Sequence, residues 1–162
     1  MTLIYARNKH ASTTDMDDGS ILVRVTLEDT FFAGAVEMIV RVPDLEIASL
    51  SGEIKRSFNA ECQEAVPLLQ KAVGLRIAPG LIKSVSGLIA GPAGCPKMAD
   101  LVLECCDEIV LRFTLDPVRN IQSKSGQERT EAGREFLRQN PGLVGTCIAY
   151  SKGSPLLERF EV

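Results

Sequence analysis

Tryptophan is missing from this chain and histidine occurs once, at His10. With aromatic residues at 5%, the core has to be built from Val, Leu, Ile and Ala. A single histidine leaves any Cys-His or Ser-His-Asp arrangement only one position for its base, and His10 lies in a strand-like N-terminal region, where an exposed side chain is expected. Clustered basic charge is lacking too. Eighteen Lys and Arg oppose 21 Asp and Glu, giving a net charge of -3 and a pI near 5.3. Phosphate binding needs Lys and Arg gathered on one face, so nucleic acid is not an expected partner. No apolar run approaches the about 20 residues of a spanning helix, and the opening MTLIYARNKHAS lacks the apolar stretch of a signal peptide. A cytoplasmic protein with no membrane partner is expected.

Chemical motifs are also sparse. There is no CxxC pair, phosphate loop or GxGxxG fingerprint. DMDDG, from Asp15 to Gly19, resembles half of a calcium loop, but Thr26 stands where the bidentate Glu is required, which makes a solvated turn the expectation.

What remains is a chain of 162 residues with 45% hydrophobic and 24% charged residues, the size and balance of one soluble globular domain, 1–162. Residues 1–57 read as an antiparallel meander. SILVRVTLE presents Leu22, Val23, Val25 and Leu27, AVEMIVRVP presents Val36, Met38, Val40 and Val42, and LEIASLSGEIKRS supplies a third strand. The period changes over 58–115. Asn59 caps an expected helix with Glu61 and Glu64 in its first turn, Pro67 kinks it, Val66, Leu69 and Val73 face inward, and Gly74 ends it. APGLIKSVSGLIAG suggests a short helix. From Pro96 to about Phe113 a longer one is predicted, with Met98, Leu101, Val102, Cys105, Ile109 and Phe113 on one face. Residues 116–162 are expected to hold a polar linker, DPVRNIQSKSGQ, a charged helix, ERTEAGREFLRQN, and a terminal hairpin or extended tail. The fold class is α+β, a β-meander followed by helices packed on one face.

The cysteines, at 62, 95, 105, 106 and 147, are odd in number and accompany no secretion signal, so reduced thiols are expected. In GPAGCPKMADL, Pro96 suits the first helical position and puts Cys95 at the N-cap, where the helix dipole and free amides stabilise a thiolate. The preceding glycines let backbone amides approach a bound group. Cys62 falls in another predicted first turn, so two helix starts converge on one candidate site. Cys105 lies on an apolar stripe and is assigned to packing, and Cys106, about 100° around the helix, cannot easily share a metal with it. A small buried residue in a tight turn remains an equal reading of Cys95.

Three stretches, FNAECQEAVPLLQKAVGLRIAPGLI, GPAGCPKMADLV and GLVGTCIAYSKGSPLLERF, resemble the bacterial domain-of-unknown-function 2889 family. The resemblance implies that Cys62, Cys95 and Cys147 occupy the family's three cysteine positions, and so form a metal-ligand set. Where the family continues Gly-Cys with Thr-His-Leu, this chain has Pro96-Lys97-Met98. The order of elements is similar to NifU-like iron-sulfur scaffold domains (a NifU/SufE-like plan), although the place of that scaffold's first cysteine is taken here by Ala33.

Two functions follow as expectations. One is a cysteine site that binds a metal ion or iron-sulfur cluster or delivers sulfur, with Cys62, Cys95, Lys97 and Glu61 as binding residues and Glu64 as a further neighbour that tunes charge. The other is a non-catalytic binding or assembly subunit that recognises a partner protein or a small acyl ligand.

Overall fold

Alternation builds the first half of the chain. In the computed structural model, which describes residues 2–160, four strands form an antiparallel sheet in chain order: β1 (Arg7–Asp15), β2 (Ile21–Asp29), β3 (Ala33–Arg41) and β4 (Glu46–Arg56). Ile21, Val23, Val25 and Leu27 point to the buried side of β2, since successive side chains alternate between faces. Leu22 is on the half-buried side instead, and Val42 is exposed beyond the end of β3. Register shifts in the β3–β4 pairing let Ile47 and Leu50 both reach the core despite their odd spacing.

The edge of β4 is covered by a 3-10 helix, Ala60–Ala72. Gln63 and Gln70 donate to the carbonyls of Ile54 and Leu50, both at 2.6 Å, which occupies groups that an edge strand otherwise leaves open. This segment is not the kinked α-helix expected. Asn59 is extended but makes no side-chain cap bond. Ala65, Leu69 and Ala72 are its buried residues, while Val66 is half-buried and Val73 exposed.

Two α-helices complete the core of the first part: α1 (Leu81–Ile89) and α2 (Pro96–Ser123). The expected face of α2 is buried through Met98, Leu101, Val102, Cys105 and Ile109, and these join Val23, Val36, Met38 and Leu50 in one cluster. Phe113, expected on that face, is exposed. Gly52 sits where helix meets sheet; a Cβ there would lie 2.6 Å from Leu69 and 2.9 Å from Met98.

The chain forms two compact units, Met1–Leu111 and Arg112–Val162. The second contains the end of α2, then α3 (Gly126–Gln139) and α4 (Pro155–Arg159), around Ile121, Leu137, Leu157 and Phe160. Two expectations are corrected here. Residues 116–123 are helix rather than linker: α2 runs on through Pro117, and Ile121 in this stretch is buried with Leu137, Leu157 and Phe160. The C-terminal stretch is not a hairpin. It consists of 3-10 turns and α4, which Ser154 caps by accepting from the Leu157 amide at 3.2 Å.

Candidate functional site

Cys95 occupies the start of α2, as its neighbours predict. The Ala99 amide donates to the Cys95 carbonyl at 3.1 Å, and Pro96 is the first helical residue. The glycines before it serve the turn rather than a bound group. Gly94 donates to Gly91 at 3.1 Å and Cys95 donates to Ile89 at 2.9 Å, so these amides are already used. A Cβ on Gly94 would lie 2.0 Å from the Ile89 carbonyl oxygen, which leaves room only for glycine. Cys95 itself is buried, at 8% exposure.

Cys62, half-buried in the 3-10 helix, lines two cavities together with Cys95 and Pro96. One, of about 620 Å³, has apolar walls from Phe31, Phe32 and Phe58, with Ser57 and Lys97. The other, of about 630 Å³, carries Asn59, Glu61 and Glu64 and the backbone turn 92–94. Thus the fold brings Cys62, Cys95, Glu61 and Lys97 to one region of the first unit, with the two charged residues in different cavities.

A residue that the sequence reading missed fixes this region. Asp29 is the next inward position of β2 after Leu27, and its side chain is 1% exposed. A buried carboxylate needs partners. Oδ1 accepts from the amides of Phe31 and Phe32 at 2.8 and 2.7 Å. Oδ2 accepts from Arg7 at 2.9 Å, Lys97 at 3.0 Å and the Tyr5 hydroxyl at 3.3 Å. Burial pushes the Asp29 carboxyl up, but the Lys97 and Arg7 hydrogen bonds and the two amides outweigh it and hold it well below the usual carboxylate range. Lys97 also lies 4.8 Å above the centre of the Phe32 ring. The Asp29–Phe32 turn is thereby tied to the start of α2. The signal was available: an Asp continuing the run Ile21, Val23, Val25, Leu27 at period 2.

The other cysteines differ. Cys105 and Cys106 are buried in α2; burial, then the neighbouring Cys106, Glu104 and Glu108, push the Cys105 thiol up, and burial followed by Asp107 pushes Cys106 up to about 12. These are packing thiols. Cys147 is exposed in the second unit, just before the 3-10 turn Ile148–Tyr150. His10 is exposed on β1. Ala33, at the place of the scaffold's first cysteine, opens β3 and is buried. Among the described residues, no group of three or more His, Cys, Asp and Glu side chains is placed to hold a metal ion. No helix among them is long and apolar enough to cross a membrane.

Fold and site together define a small α+β domain with a two-thiol cleft at a helix start. The model of the family described as "Protein of unknown function (DUF2889)" matches residues 5–111, and the chain belongs to that family. The match ends where the first compact unit ends. It contains Cys62 and Cys95 and stops short of Cys147, so the third stretch of the resemblance lies outside it. No curated protein and no solved structure matches the chain, and the NifU-like plan has no support from these comparisons.

Proposed function

We propose that the first unit is a thiol carrier site in which Cys62 and Cys95 together hold a soft, low-coordinate cargo. The observation that carries this reading is that both cysteines line the same two cavities. Thiolates favour soft partners, and a two-coordinate ion such as monovalent copper asks for no further protein donor. A tetrahedral zinc site or an iron-sulfur cluster asks for three or four; the described residues do not fit those groups. Glu61 and Glu64 give one approach an acidic wall, and Lys97 gives the other a basic one.

The test is uptake of monovalent copper by anaerobically reduced protein. One equivalent bound per chain, lost in both Cys62→Ala and Cys95→Ala, is the expected result. Absence of copper uptake, or uptake by the variants equal to that of the parent chain, would overturn it.

A further inference from the structure

We infer that the phenylalanine-lined cavity is a binding site for a small monocarboxylate with an apolar body. The carboxylate pairs with Lys97, and the body lies among Phe31, Phe32 and Phe58. This goes beyond the thiol-carrier reading and does not require the thiols to react.

The size is appropriate, since about 620 Å³ falls within the range of small-molecule sites, roughly 300–1,000 Å³. Charge selects the head group. Lys97 is the single charged side chain among the residues lining this cavity. Its partner Asp29 is shared with Arg7, so one carboxylate faces two cations and the cluster keeps a positive excess. An ammonium carries three N–H donors, and the one hydrogen bond of Lys97 among the described residues goes to Asp29. Donors therefore remain for a ligand, on a side chain already oriented by Asp29 and the Phe32 face. Pre-orientation reduces the entropy lost on binding.

The walls select the body. Phe31 and Phe58 are 54% and 82% exposed and meet edge to face with ring centres 6.4 Å apart. Two solvated phenyl rings beside an apolar cavity gain by covering an apolar ligand. Cys95, a buried residue whose thiol has no hydrogen-bond partner among the described residues, is also in the wall. It tolerates an apolar neighbour, as a small weakly polar group does. A short acyl chain or a single aryl ring meets all of these conditions. A bare inorganic anion leaves the phenylalanines uncovered.

Calorimetric titration of the full chain with hexanoate, benzoate, benzamide and inorganic phosphate tests this. Saturable binding of the carboxylates is expected, with benzamide and phosphate at least tenfold weaker. Phe58→Ala, at an exposed ring, is expected to weaken benzoate severalfold with an unchanged circular dichroism spectrum, and Lys97→Gln to weaken it at least tenfold. Should Lys97→Gln not fold, benzoate-induced shifts of the Phe32, Phe58 and Lys97 resonances in the parent chain decide the matter. Benzoate binding by the parent chain is expected whether or not that chain takes up copper, which separates this result from failure of the carrier reading. Absence of saturable carboxylate binding, equal binding of benzamide or of phosphate, or a concentration-dependent dimer abolished by Phe58→Ala would overturn the assignment, the last by giving the patch to a second copy of the chain.

Discussion

Gly94→Ala should be among the most damaging single-methyl changes in the first unit, and the reason is local. The new Cβ would lie 2.0 Å from the Ile89 carbonyl oxygen, 2.7 Å from its carbon and 2.9 Å from the Ala90 oxygen. All three are backbone atoms, so no side chain can rotate away. Relief requires the end of α1 to separate from the turn, and the oxygen that must move is the one that accepts from the Cys95 amide at 2.9 Å. Overpacking of this kind costs about 1–3 kcal/mol, and losing the hydrogen bond adds about 1 kcal/mol. At an m-value of about 2 kcal/mol per molar, the urea midpoint should fall by about 1–2 M.

Gly91→Ala is the matched control. Gly91 has φ of +87°, and a methyl group there would meet nothing within 4 Å, so its cost is backbone strain alone, about 1–2 kcal/mol. Urea unfolding followed by circular dichroism gives both values, and amide exchange at Cys95 reports whether its bond to Ile89 has opened. The two substitutions should also part in thiol labelling, with Cys95 becoming markedly more accessible only in Gly94→Ala. A Gly94→Ala protein as stable as the parent, or less affected than Gly91→Ala, would refute the steric account of this turn.

Asp29→Asn should remove an acid-sensitive element. The folded carboxyl titrates below its unfolded value, so its contribution is present above about pH 3.9 and lost as pH falls through the folded value; stability measured against pH should show the variant deficit narrowing below about pH 4. Thiol labelling of native protein near pH 8 should modify exposed Cys147 first and leave Cys105 and Cys106 unmodified until denaturant is added, because burial disfavours their thiolates. Ser154→Ala should destabilise the second unit by about 1 kcal/mol, read as earlier amide exchange at Leu157, since the Ser154 hydroxyl caps α4.

The meander was legible because β2 keeps one face buried and β3 does so from Val36 onward, and near-alternation of that kind suits a half-buried strand. The start of α2 was legible for a different reason: Gly94, Cys95 and Pro96 each favour the same boundary. The form of residues 60–72 was not, because Pro67 and an apolar spacing of three or four suit a kinked α-helix and a 3-10 helix alike. Residues 116–123 misled through composition, since charge and one proline describe an exposed helix as well as a linker. Of the site, the two cysteines could be named but the Asp29 cluster could not be assembled. Its members, Tyr5, Arg7, Asp29 and Lys97, are up to 68 residues apart from Asp29, and only the fold shows that they meet.

The opposed charges around Cys62 and Cys95 make the carrier reading testable by rate as well as by affinity. Glu61 and Glu64 line only the polar cavity and Lys97 only the apolar one, with the cysteines common to both. A cationic cargo is therefore drawn along the acidic wall, while a carboxylate is drawn to the other side. If Glu61 and Glu64 act only through this field, the double change Glu61→Gln with Glu64→Gln should slow copper association severalfold at about 0.01 M salt, where the Debye length is about 30 Å, and hardly at all at about 1 M, where it is about 3 Å. Dissociation should be unchanged, because the thiols that hold the ion are untouched. Stopped-flow measurement across that salt range separates the two roles: a loss of affinity that persists at high salt would make one of the glutamates a ligand, and the two-thiol account of the site would then be wrong.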